Sequence, residues 1–259
     1  MALKLGTTAL NKLYLGGTEI KKAYLGTGVV SAIPTIASAV YWGDFSDTSK
    51  VSLSSGKITG LANRLGGALS FSQDTGSLQP TYQLASAGNG INGLNTCRFT
   101  ERTQKLQLDT AVLTDATIII VIRNTSNQSE GGVIQSITDN FAGLFRPNTS
   151  SNANQPAGIS DNFVDGVDIP NTRGATRAAL TTSPVLWMVR NLDLTDWGQS
   201  SSGITAIMLG SFHISSIYSF VNGDMGEIVI MNAPSVAEQN ALGVYLSEKW
   251  GTATWTDVS

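Results

Sequence analysis

The first thirty residues repeat with a period of ten. Leu5-Gly6, Leu15-Gly16 and Leu25-Gly26 fall at that spacing, as do Leu10, Ile20 and Val30. Thr8 recurs as Thr18, Lys12 as Lys22 and Tyr14 as Tyr24. A unit this short cannot bury its own apolar face, so it must stack on neighbours or associate with another surface. Three such units hold too little core to stand alone. Apolar and polar residues alternate within each unit and the chain turns at Gly-Thr or Gly-Gly, which predicts very short strands joined by tight turns. Open edges on such strands favour pairing with other copies or with a partner. Residues 1–32 are therefore expected to form an attachment and oligomerisation element, with Leu5, Tyr14, Leu15, Tyr24 and Leu25 as its attachment residues. Residues 33–39, carrying Pro34, read as a linker, and 40–259 as the domain that is presented.

The body has the composition of a turn-rich β protein. Charged residues are 14% of the chain, against roughly 25% in ordinary soluble domains, and glycine is over-represented. The charge is unevenly placed. Residues 1–32 carry Lys4, Lys12, Lys21 and Lys22 against Glu19, while the remainder holds 18 acidic and 12 basic side chains. An acidic body lacks the basic stripe that phosphate contacts need, so nucleic acid is not an expected partner. The longest apolar run, 118–122, is far too short to span a bilayer, and no membrane insertion is expected. Met1-Ala2-Leu3-Lys4 leads into the repeat without an apolar leader, which predicts a soluble protein made in the cytoplasm. The one cysteine, Cys97, reads as a buried inert thiol.

Strands are expected at 37–42, 96–99, 105–108, 117–123, 132–137, 142–145, 185–191, 204–210 and 227–231, rich in Val, Ile and Leu and divided by Gly, Asn, Ser and Asp. One helix is expected. Pro234 precedes Ser235 and Glu238, which make a capping box. Ala241, Leu242, Tyr245, Leu246 and Trp250 then share one helical face, and Gly251 stops it. The fold class that follows is all-β, an antiparallel β-sandwich closed by one C-terminal helix.

Several stretches then resemble a known family. They are Trp42-Gly43-Asp44-Phe45-Ser46-Asp47, Gly56-Lys57-Ile58, Gln79-Pro80-Thr81-Tyr82, and Asn92-Gly93-Leu94-Asn95 leading to Arg98-Phe99. Leu209-Gly210-Ser211, 223–230 and 242–251 continue the series. In order and spacing they resemble the laminin-G-like, concanavalin-type jelly rolls of phage and bacterial surface proteins. The N-terminal decapeptides resemble the Leu-Gly-x-Thr-x-Ile-x-Lys-x-Tyr-Leu-Gly runs that open many tailed-phage virion proteins. Together these resemblances imply a chain docked on a particle by its N-terminus, with a jelly roll projecting outward. A phage-derived gene transfer agent would be an equally good home.

Catalysis is tested against the residues it needs. Retaining glycanases place two carboxylates about 5–5.5 Å apart, and on this kind of fold they come from one strand as Glu-x-Asp-x-(x)-Glu. No such run exists here; Glu227 stands alone and Glu101, Glu130, Glu238 and Glu248 are scattered. A catalytic triad would have to use the only histidine, His213, which has no nucleophile-elbow motif nearby. Residues 88–93 are glycine-rich but lack the Lys-Ser/Thr of a phosphate loop. The chain is not expected to be an enzyme, nor to carry a cofactor.

Calcium is the one metal worth weighing, because Asp161, Asp165 and Asp168 share a carboxylate-rich loop. A hard cation needs about six to eight oxygen ligands in a suitable spacing, and this run does not follow an EF-hand. Trp197 is the candidate sugar platform, with Asp193 and Asp196 beside it and Tyr218 and Asn222 as second choices. The competing reading is that Trp197 caps the end of the core. The expected function is a virion surface protein, a homo-oligomer with the trimer favoured. It would attach to other virion proteins through 1–32 and touch host-surface polysaccharide with its body. A purely structural decoration protein is the alternative, and a glycan depolymerase a distant third.

Overall fold

The computed structural model describes residues 4–5, 8–9, 14–15, 18–19, 22–25, 28–100, 103–109, 115–124, 133–136, 143–144, 161–180, 182–192, 206–212, 218–219 and 223–259. The repeat contributes β1 (Lys4–Leu5), β2 (Thr8–Ala9), β3 (Tyr14–Leu15), β4 (Thr18–Glu19), β5 (Lys22–Leu25) and β6 (Gly28–Ser31). These pair as β1–β2, β3–β4 and β5–β6, three separate antiparallel hairpins. Leu5 is opposite Thr8, Leu15 opposite Thr18 and Leu25 opposite Gly28, so each register leaves two residues between the strands. Those two residues begin with Gly6, Gly16 or Gly26, the residue favoured at the first position of a two-residue hairpin turn. One decapeptide is one hairpin.

The body contains β7 (Ala39–Asp44), β8 (Val51–Ser54), β9 (Lys57–Ala62), β10 (Ser70–Ser72), β11 (Thr81–Gln83), β12 (Thr96–Phe99), β13 (Leu106–Asp109) and β14 (Ala116–Asn124). It continues with β15 (Ile134–Ser136), β16 (Gly143–Leu144), β17 (Asp161–Val164), β18 (Val167–Asp168), helix α1 (Arg173–Ala179) and β19 (Val185–Leu192). The chain closes with β20 (Ala206–Leu209), β21 (Ser211–Phe212), β22 (Tyr218–Ser219), β23 (Gly223–Asn232) and helix α2 (Val236–Trp250). Fifteen of these strands form one antiparallel network, in the order β16-β15-β20-β13-β10-β9-β11-β12-β23-β14-β19-β17-β18. β7 pairs with β23 and β8 with β9, while β21 and β22 make a hairpin of their own.

The run Ile118 to Ile122 explains the layering. It is apolar at every position because β14 lies between β23 and β19 and is covered on both faces. Ile118, Ile120 and Ile122 enter one core, with Trp187, Ile228 and Tyr41; Ile58, Phe71, Phe99, Leu106 and Leu209 meet them from β9, β10, β12, β13 and β20. Ile119 and Val121 enter a second core, with Trp42, Met188 and Val229. Leu242, Tyr245, Leu246 and Trp250 of α2 cover it, with Trp255 and Val258 of the C-terminal tail. Cys97 is buried in the first core.

Helix α2 starts as its sequence requires. Glu238 N–H donates to Ser235 Oγ at 3.2 Å, and Ser235 N–H returns to Glu238 Oε2 at 3.0 Å. Glu238 Oε1 also accepts from Ser38 N–H at 3.0 Å, tying the helix start to the chain entering β7. The Ser38 and then the Ser235 backbone N–H groups hold the Glu238 carboxyl down at about 2. Because the folded value is depressed, its stabilisation is complete above the ordinary value of 4.5 and is lost as pH falls toward about 2. Wild type should therefore melt above Glu238→Gln at pH 7, with the gap narrowing below pH 4.5 and closing near pH 2 in a thermal titration. A gap that does not change across that window would mean the carboxylate charge is idle.

Two expectations are corrected. A second helix exists: α1 is seven residues long, with Thr172 Oγ1 accepting from Ala175 N–H at 3.2 Å. Its sequence, Arg-Gly-Ala-Thr-Arg-Ala-Ala, has no apolar stripe to announce it. The segment expected as a carboxylate-rich loop is instead the β17–β18 hairpin. Val164 is opposite Val167, and Asp165 and Gly166 turn with φ of 51° and 81°, the geometry that favours Asp-Gly in two-residue hairpins. Gly166 is required twice over, since a Cβ there would lie 1.8 Å from Thr256 O.

Candidate functional site

Glu227 on β23 and Asp44 on β7 are direct cross-strand partners. Like charges so placed repel, and two cations offset them. Lys249, in the last turn of α2, sets Nζ 2.6 Å from Asp44 Oδ2 and 2.6 Å from Glu227 Oε2. Arg64, just after β9, lies 3.1 Å from Asp44 Oδ2 and 3.8 Å from Glu227 Oε1. Trp250 Nε1 donates to Glu227 Oε2 at 2.7 Å, and Trp42 Nε1 donates to Glu227 Oε1. Burial, and next the Asp44 charge, push the Glu227 carboxyl above its ordinary value. Burial also pushes Asp44 up, but Lys249, Ser46 and Arg64 outweigh it and hold that carboxyl below the usual range. The cluster is charge-balanced and its groups spend their hydrogen bonds on one another. It fastens α2 to the sheet. Glu227, read from sequence as an isolated carboxylate, is thus corrected to the centre of a four-charge cluster.

A second charged group lies on the same face, farther along β23. Arg98 on β12, Asp224 on β23 and Arg123 on β14 are register neighbours and form a row across three strands. Arg98 Nε and Nη2 donate to Asp224 Oδ1 and Oδ2 at 2.6 and 2.9 Å. Arg123 Nε donates to Asp224 Oδ2 at 3.1 Å, and its Nη2 donates to the same oxygen. Asp224 is fully buried, while the two arginine side chains keep 23% and 24% exposure. The row holds two cations to one anion. Its strand neighbours Cys97, Phe99, Ile122 and Met225 point the other way, into the first core.

The chain matches no protein-family model, and no curated protein sequence is significantly similar to it. The sequence does not announce the row. An arginine ending a run of β-branched residues and an Asp opening a strand were its only local signals, and their meeting depends on strand register.

The residues singled out from sequence fall in several places. Trp197, Asp193, Asp196, Asn222 and His213 lie outside the described residues. Tyr218 is in β22, opposite Phe212. Leu5, Tyr14, Leu15, Tyr24 and Leu25 all sit in the N-terminal hairpins. Asp161, Asp165 and Asp168 are not gathered around one point. Asp161 pairs with Arg190 at 3.0 Å, Asp165 Oδ1 accepts from Leu186 N–H at 2.8 Å, and Asp168 is exposed opposite Phe163. Among the described residues no group of three or more His, Cys, Asp or Glu side chains is arranged to hold a metal. No helix among them is long and apolar enough to cross a membrane.

Proposed function

We propose that this chain is a surface protein of a tailed-phage or phage-like particle. Residues 1–32 anchor and oligomerise it, as a trimer, and 40–259 form a laminin-G-like, concanavalin-type jelly roll that touches host-surface glycan. It acts by binding, without catalysis or cofactor. The observation that carries this proposal is that each decapeptide closes as its own hairpin, outside the fifteen-strand network. A two-stranded hairpin is marginal alone in water; β6 of the third rests against α2, and the hairpins ahead of it have their use in contacts with other chains. The β body with one covering helix on its second core is consistent with a jelly roll carried on such an anchor. Linked copies on one particle would convert weak single contacts into avid ones, by a factor on the order of 10²–10⁴.

Deleting residues 1–32 is the direct test. The truncated chain should keep a cooperative thermal transition, lowered by no more than the lost contact of β6 with α2, and sediment as a monomer; an unchanged oligomer would remove the anchor role. Labelled full-length protein should bind host cells saturably and lose that binding when surface polysaccharide is stripped. Oligomerisation without any cell binding would instead favour a structural decoration protein.

A further inference from the structure

Resting on the glycan-binding role above, we propose that the Arg98–Asp224–Arg123 row recognises an anionic group, carboxylate or phosphate, on a saccharide. A single arginine would suffice to neutralise Asp224, and Arg98 already grips it with two hydrogen bonds. Arg123 is the surplus cation. Each guanidinium spends its Nε–H and one Nη–H on Asp224; among the described residues no partner is found for its remaining donors.

The buried carboxylate orients both forks while the side chains stay part-exposed. Pre-orientation lowers the entropy cost of gripping an oxyanion, and the planar fork matches carboxylate and phosphate geometry. Local charge favours the same ligand class. The body as a whole carries 18 acidic and 12 basic side chains, whereas this row has an excess of positive charge. The cluster at Glu227 makes the contrast: its two carboxylates face two cations, and nothing is left over.

The test uses the full chain and four probes: glucuronate, glucose 6-phosphate, glucose and inorganic phosphate. Arginine Nε–Hε resonances of Arg98 and Arg123 are followed by NMR in low salt. Glucuronate or glucose 6-phosphate should shift both signals saturably, at least about tenfold more tightly than inorganic phosphate, and glucose should not. Arg123→Gln, which leaves the bidentate Arg98 pair in place, should weaken that binding by about tenfold or more. Its dispersed spectrum would show that it folds. No shift with either charged sugar, or equal affinity in Arg123→Gln, overturns the proposal. Inorganic phosphate binding as tightly as both sugars overturns the saccharide assignment. The two proposals separate cleanly. Polysaccharide-dependent cell binding that survives Arg123→Gln sinks this site alone, while charged-sugar binding without any cell binding upholds the site and sinks the adhesive role.

Discussion

Replacing Lys249 with methionine is expected to destabilise the fold by about 3–5 kcal/mol, the range for removing one partner of a buried ion pair. Methionine keeps much of the lysine stem's volume, so the loss is chiefly electrostatic. Glu227 would be left fully buried beside Asp44, with Arg64 at 3.8 Å as its nearest remaining cation. Urea denaturation at pH 7 measures the effect. The paired variant Glu227→Gln with Lys249→Met should regain most of the loss, because removing both charges also removes the uncompensated one. A Lys249→Met midpoint close to that of wild type would mean that Arg64 alone balances the carboxylates.

Gly243→Ala should destabilise the protein, against the ordinary rule for helices. In a helix interior, alanine is favoured over glycine by about 0.8–1 kcal/mol. Here a Cβ on Gly243 would lie 2.2 Å from Trp255 Cε2. That indole packs into the second core, and its Nε1 donates to Asn240 Oδ1 at 3.2 Å. Overpacking of this kind costs on the order of 1–3 kcal/mol. Trp255→Ala should cost about 3–5 kcal/mol by emptying the seat. In that background Gly243→Ala should become stabilising, and a double-mutant cycle reads the change of sign directly. A gain from Gly243→Ala in the wild type would mean that the tail does not rest on the helix.

Much of the frame was legible. Strands β14, β19 and β23 are long and rich in apolar residues, and burial on one or both faces leaves a plain mark on such runs. The capping box announced α2, and Gly251 ends it with φ of 63°. Strands β8 to β11 were missed because Ser, Thr and Gly break their apolar pattern, as in Val-Ser-Leu-Ser and Lys-Ile-Thr-Gly-Leu-Ala. The β17–β18 hairpin is hidden because its strands are only four and two residues long, and Asp161, Asp165 and Asp168 give the stretch the polarity of a loop. The ion cluster could not be read locally at all. Residues 44, 64, 227 and 249 meet through strand pairing and helix packing, neither of which leaves a spacing to find. The same holds for Arg98, Arg123 and Asp224, which register alone brings into line.

The hairpins at the N-terminus have a consequence for how such a chain can change. Because β1–β2, β3–β4 and β5–β6 each complete their pairing within a single unit, the decapeptide behaves as a cassette. Duplication or loss of ten residues ahead of β5 would add or remove one closed hairpin and break no pairing elsewhere, while β6 keeps its contact with α2. Reach and copy number at that end can therefore drift in whole steps, while the body downstream is inherited unaltered.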